Sequence, residues 1–166
     1  MSSLAASLAS VQQGIIRYGF PISLTLGNFG NLLCIAIFSQ KHLRQRSCSL
    51  YLLAAAVFSV FGINWGIGSN MYALYKPPDP FVQSILLCRI RGYILQSSSL
   101  LYKIMIFLAC VDHFAMTSTR VSIRALSKPK VALKVIAGAT LCGMLISIHL
   151  PIYQTIEENR CFFFGT

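Results

Sequence analysis

The chain of 166 residues is 55% hydrophobic and only 11% charged, with a mean hydropathy of +0.67. This composition is too apolar for an ordinary soluble domain and indicates a membrane protein. The net charge of +10 resides on basic residues that lie between apolar stretches rather than on one continuous face. The pattern therefore excludes nucleic acid as a partner and favours membrane lipid.

Four stretches are long enough to cross a bilayer, which requires roughly 20 apolar residues. They predict helices at about residues 15–39, 48–73, 90–113 and 135–156. Only the third is interrupted near its middle by a charged residue, Lys103. The predicted fold class is an all-α membrane protein with four transmembrane helices within residues 15–161. Residues 1–14 are expected to form a short N-terminal segment, and residues 162–166, with three phenylalanines, indicate a truncated outer loop or the start of a further segment.

The first span carries a polar cluster in which Asn28 and Asn31 alternate with Gly27 and Gly30. In lipid, small residues let helices approach closely, and an asparagine amide can bond across a helix interface for about 1 kcal/mol. We interpret Asn31 as a structural polar contact of this kind. A signalling role is the alternative, because an intramembrane polar residue is often functional.

The polar candidates of the second span are Ser59 and Asn64, and they lie beside the G-x-x-x-G match formed by Gly62 and Gly66. That motif predicts a close helix contact, although small residues are common in membrane helices.

Lys103 is the costliest residue of the third span, because an ammonium near mid-bilayer carries a penalty of about 2.5–3.5 kcal/mol. Its side chain must therefore face protein or water. One interpretation is a ligand counter-ion or a switch contact in a bundle core. The other is a structural pair with Asn64, with Ser59 or with helices outside this chain. At least one hydroxyl of the run Ser97–Ser99 is expected to face the same interior.

The loops after the first and third spans hold more lysine and arginine than the remaining connections. The positive-inside rule therefore predicts an extracellular N-terminus, in a multi-pass protein of the plasma membrane. Cys88 and Cys161 then both flank helix ends on the outer, oxidising face. A disulfide between them is geometrically reasonable and is predicted.

The sequence predicts no catalytic residue, no metal site and no cofactor. Ser98, His149 and Asp112 are the types of a catalytic triad, but Asp112 lies toward the cytoplasmic end of its span, far from the other two. The histidines lack metal-ligand spacing, and no glycine-rich phosphate loop occurs. An enzyme is therefore not expected.

Two short motifs mark the first and third spans. Gly30-Asn31 lies within the first span, and the triplet Asp112-His113-Phe114 ends the third. They resemble the G-N element of helix one and the D-R-Y triplet of helix three in rhodopsin-like G-protein-coupled receptors. His113 stands where that family has its arginine.

Three residues near the outer face extend the resemblance along the chain. Cys88 precedes the triplet at the interval that the family keeps and resembles its outer disulfide cysteine. Pro151 resembles the outer proline of helix four, and Cys161 resembles the partner cysteine in the second outer loop. The resemblance covers about residues 19–161. It departs from the family near Ser59, where helix two should carry an acid.

The resemblance implies an extracellular ligand of unknown identity and a heterotrimeric G protein engaged from the cytoplasm. Asp112, His113, Arg120 and Arg124 would then form the G-protein-facing surface. For the two arginines the alternative is anchoring to anionic lipid, at about 1 kcal/mol each.

The predicted function is therefore transmembrane signalling by a receptor of which this chain forms helices one to four. The alternative is a complete four-span membrane protein, such as a channel subunit or a transporter half, with Lys103 lining a water path.

Overall fold

The computed structural model describes residues 7–8, 11, 14–75, 80–118, 127–157 and 160–163. Its four long helices are α1 (Phe20–Phe38), α2 (Ser47–Tyr75), α3 (Ile85–Thr117) and α4 (Pro129–Ser147). All four are long and apolar enough to cross a membrane, and a π-helical turn, Ile15–Gly19, extends α1 at its start. The prediction of an all-α membrane protein with four transmembrane helices is confirmed.

Short elements connect the long helices or follow them. A 3-10 turn, Leu43–Gln45, lies between α1 and α2, and a one-turn helix, Pro80–Gln83, precedes α3. A second short helix, His149–Tyr153, follows α4 and leads into an antiparallel hairpin. The hairpin consists of β1 (Gln154–Glu157) and β2 (Arg160–Phe163).

The helix ends differ from those predicted by composition, most clearly in α3 and α4. Helix α3 begins at Ile85 rather than near residue 90, directly after the extended Ser84. Helix α4 begins at Pro129 rather than near residue 135. Proline suits the first turn of a helix, because the missing N–H would have no intrahelical partner there. Charged residues near the ends of a span, such as Lys130, therefore do not end the helix.

The fourth span was predicted to stay helical to residue 156, but residues from Gln154 onward form the first strand of the hairpin. Pro151 cannot donate a backbone hydrogen bond to the carbonyl four residues earlier, so it weakens the helix at this point. The helix accordingly breaks at Ile148, resumes for one turn and ends at Tyr153.

Helices α2 and α3 form the central pair of the bundle. Helix α4 packs against both, whereas α1 packs mainly against α2 and contains no buried residue. The principal core cluster lies where α2 begins, α3 ends and α4 begins, which we call the Asp112 end; the opposite end of the bundle is the Cys88 end. The core residues are Leu50, Tyr51, Ala55, Met105, Ala109 and Ala132.

Candidate functional site

A cavity of about 420 Å³ lies between α2 and α3 and extends from the middle of the bundle toward the Cys88 end. Its walls are mainly apolar, with Phe58, Ile63, Ile67 and Leu95 among the lining residues. Apolar walls with a few polar groups are typical of small-molecule sites. The cavity is therefore the candidate ligand site.

Glycines on α2 let α3 approach closely beside this cavity. A Cβ atom on Gly66 would lie 2.7 Å from Leu95 Cδ2, and one on Gly62 would lie 3.2 Å from Ser98 Cβ. Both distances are too short for a comfortable contact, so the G-x-x-x-G pair forms the close helix contact that its motif predicts.

Among the described residues, the polar side chains that line the cavity all carry hydroxyl groups. Ser59, one of the predicted intramembrane polar residues, lines it together with Ser98, Ser99 and Tyr102. No carboxylate or ammonium is among the lining residues, and Lys103 is not part of the wall. The arrangement suits an apolar ligand that offers one or two hydrogen-bonding groups, and it provides no counter-ion for a charged ligand.

Asn64 pairs with Asn28 across the α1–α2 interface. Each amide donates to the other's carbonyl oxygen, with Nδ2 to Oδ1 distances of 3.1 Å and 2.6 Å. Asn31, predicted to make an interhelical contact, instead donates to the Gly27 carbonyl of its own helix at 2.7 Å. The interhelical contact predicted for Asn31 is therefore made by Asn28, less than one helical turn earlier.

Lys103 contacts neither of the partners predicted for it. Asn64 is engaged with Asn28, and Ser59 faces the cavity, whereas the Lys103 side chain is exposed. Within the described part of the chain, no hydrogen bond or ion pair reaches its ammonium. Among the described residues, Lys103 therefore pairs with neither Asn64 nor Ser59. Its pairing with helices outside this chain stays a prediction.

Asp112 is buried rather than displayed on the surface of the Asp112 end. Its side chain is 7% exposed, and its Oδ1 accepts a hydrogen bond from Ser127 Oγ at 2.8 Å. Its Oδ2 is buried and has no hydrogen-bond partner among the described residues. Asp112 therefore lies on the packed side of α3, beside Tyr51 of α2, and its G-protein-facing role stays a prediction.

His113, the next residue, is exposed at the same end. Arg120 and Arg124 lie outside the described residues. Exposed cations on the flanking segments surround this end and give it a basic rim: Lys41, Arg44, Arg46, Lys128, Lys130 and Lys134. A basic rim at the boundary of an apolar span suits contact with anionic lipid headgroups.

At the other end, Cys88 is fully buried and disulfide-bonded. The backbone of its predicted partner, Cys161, lies in β2 opposite Ile156 of β1, and β1 contacts α3. The side chain of Cys161 lies outside the described residues, so the pairing of these two cysteines stays a prediction. Cys34, Cys48 and two further cysteines are free thiols.

The sequence reasoning missed two partner residues. Asn28 was visible in the polar cluster of the first span, but only the rotation of α1 against α2 selects it over Asn31. Ser127 lies fifteen residues after Asp112 in a connecting loop, and a serine in such a loop carries no pattern that predicts a buried carboxylate partner. Among the described residues, no group of three or more histidine, cysteine or acidic side chains could hold a metal ion.

No protein-family model matches the chain, and no curated protein matches its sequence.

Proposed function

We propose that this chain forms the first four transmembrane helices of a rhodopsin-like receptor, which binds a ligand near the Cys88 end and engages a heterotrimeric G protein at the Asp112 end. The proposal places the N-terminus outside the cell and the receptor in the plasma membrane. Its central element is α3, which contacts α2, α4 and the hairpin.

The observation that carries the proposal is the difference between the two ends of α3. At one end, buried Cys88 is covalently tethered and the α2–α3 cavity opens between apolar walls. At the other end, Asp112 binds the segment before α4, with His113 exposed beside it. A helix that is tied at both ends and borders a cavity is suited to transmit ligand binding from one membrane face to the other.

The expected ligand is largely apolar and uncharged. The cavity wall offers hydroxyl groups as its polar contacts, and a buried charge without a partner costs too much free energy to be accommodated. The ligand would therefore be recognised by shape and by hydrogen bonds rather than by an ion pair.

The basic rim of the Asp112 end supports a cytoplasmic position for that end. His113 would then face the G protein together with Arg120 and Arg124. A histidine lacks the planar guanidinium fork of the family's arginine, so we expect a low basal signal from the natural sequence.

The test combines sequencing of the transcript with a nucleotide-exchange assay. Three further apolar spans are expected downstream of codon 166. Membranes that contain the complete receptor should stimulate nucleotide exchange on at least one class of G protein, and His113→Arg should raise the basal rate severalfold. His42→Arg, at another exposed histidine of the same end, is the matched control and should leave the rate unchanged.

The 166-residue chain alone should not stimulate exchange, because it lacks three walls of the expected ligand bundle. Ligand-dependent exchange by this chain, or a transcript that ends at codon 166, would contradict the receptor proposal.

The second candidate is a complete four-span protein, such as a channel subunit or a transporter half. It is favoured by the exposed Lys103, which would line a water path once several copies assembled. Electrical recordings from bilayers that contain the 166-residue chain would show single-channel currents if this alternative is correct.

A further inference from the structure

One face of α3 is left uncovered by the described residues along most of its length. Its residues are spaced three or four positions apart, so they form a single stripe on the helix, and all of them are exposed. We call this stripe the Lys103 face, and it consists of Gln96, Ser99, Lys103, Phe107, Cys110 and Phe114. Ser99 also borders the α2–α3 cavity. The spacing matches the pattern by which one helix packs along another.

Lipid is a poor cover for this face because of the depth of Lys103. Helix α3 has 33 residues, and Lys103 lies close to its centre. If the hydrocarbon core is centred on the helix, the nearest edge is about 12 Å away along the axis. This distance exceeds the reach of the four-carbon side chain of lysine, so the ammonium cannot extend to the headgroups.

The described part of the chain offers no carboxylate at this depth. Asp79, Glu157 and Glu158 lie outside the four spans. Asp112 is within α3 but follows Lys103 by about two and a half turns, so it projects from the opposite face. That carboxylate is buried and bound to Ser127.

A second copy of the chain would not supply the missing group either. Its acids would lie at the same places, either outside the spans or buried near the end of α3. Two Lys103 faces in parallel contact would instead place two ammonium groups at one depth, and like charges in a low-dielectric medium repel each other.

We propose that the Lys103 face is the docking surface for a transmembrane helix from outside these 166 residues, which carries an aspartate or glutamate at the depth of Lys103. Charge complementarity selects the carboxylate, because intramembrane lysines pair with opposite charges or with carbonyl groups. Phe107 and Phe114, which are 66% and 71% exposed, provide apolar contact on one side of the pair. The inference follows from the position and charge of Lys103 and does not depend on the receptor proposal.

The test uses the complete 166-residue chain, labelled with a donor fluorophore and reconstituted in phosphatidylcholine vesicles. The probe is a synthetic polyleucine transmembrane helix with an acceptor dye and one aspartate at its centre. Matched probes carry leucine at the centre, or carry the aspartate two turns nearer one end. Energy transfer reports the association of each probe with the chain.

The central-aspartate probe should associate about tenfold more tightly than the leucine probe, the scale of one interhelical polar contact in model peptides. Lys103→Met should abolish this preference, and Lys103→Arg should retain it because the charge is kept. Lys134→Met removes an exposed lysine near the start of α4 and should leave the preference intact. Circular dichroism of each variant should show unchanged helix content, since the side chain at position 103 is exposed.

Equal association of the aspartate and leucine probes would overturn the proposal. It would also be overturned if the displaced aspartate bound as tightly as the central one, or if the preference survived Lys103→Met. Energy transfer between copies of the chain that requires Lys103 and excludes the probe would assign the face to self-association instead.

Discussion

The two faces of α3 differ in what covers them, although both carry large apolar side chains. On the buried face, Leu101 and Met105 are 1% and 0% exposed, whereas Phe107 on the Lys103 face is 66% exposed. Hydrophobicity does not separate the two faces, because lipid tails are as apolar as leucine. The shape of the contact surface separates the two faces instead, because membrane helices associate through close packing and interhelical polar contacts. The buried face meets glycine and alanine on its neighbours, so its large side chains are received by small ones.

The largest expected effect is the difference in the free energy of unfolding between two truncations, one on each face of α3. Met105→Ala should lower the free energy of unfolding of the four-helix chain by about 2–5 kcal/mol, because a fully buried side chain loses its packing contacts. Phe107→Ala should change it by less than about 0.5 kcal/mol. Steric-trap unfolding in lipid bicelles measures both. Equal losses at the two positions would show that the Lys103 face is packed within this chain.

A smaller effect is expected where α4 meets the buried face. A Cβ on Gly143 would lie 2.7 Å from Leu101 Cδ2, whereas one on Gly138 would meet nothing within 4 Å. Gly143→Ala should therefore cost about 1–3 kcal/mol through overpacking. Gly138→Ala in the same helix should be neutral or stabilising by up to about 1 kcal/mol, because alanine is the better helix former.

The same unfolding assay distinguishes the two glycine variants. If Gly138→Ala destabilised the chain as strongly as Gly143→Ala, the close contact between α3 and α4 would not be the cause of the loss.

The smallest effect is expected at the Asp112 end of the buried face. Ser127→Ala removes the hydrogen bond to the Asp112 carboxylate and should cost about 1 kcal/mol. Thr117→Val is the matched control, because the bonds of the Thr117 hydroxyl among the described residues go to carbonyls of its own helix. Hydrogen exchange of the backbone amides near residue 128 should quicken in the serine variant alone. Faster exchange in both variants would point to general fraying of this end.

The four spans were predictable because a bilayer requires long apolar stretches whose backbone polar groups bond within the segment. The cost of Lys103 was predictable for the same reason, since its charge lies within one of those stretches. That no described residue pairs with Lys103 was not predictable, because Asn64 and Ser59 are suitable polar types at a plausible depth. Whether they meet Lys103 depends on how each helix is rotated about its axis.

Asp112 and the hairpin also show which properties the sequence pattern predicts and which depend on tertiary packing. The position of Asp112 near the end of a span was readable from the sequence, but its burial depends on which side of α3 is packed, and its hydrogen bond comes from Ser127, just before α4. The strands at Gln154–Glu157 and Arg160–Phe163 were not predicted, because the apolar composition of the fourth span hid the effect of Pro151 on its last turn.

The sequence by itself determined that this chain contains four helices long and apolar enough to span a membrane, where their polar residues fall and which residue places a charge near the middle of a span. These properties follow from composition and from the length that a bilayer imposes. Only the tertiary structure decided that Asn28 rather than Asn31 bonds to Asn64, that Asp112 faces inward and that Lys103 faces outward. Helix rotation and close approach decide these contacts, and they depend on how residues far apart in the chain fit together.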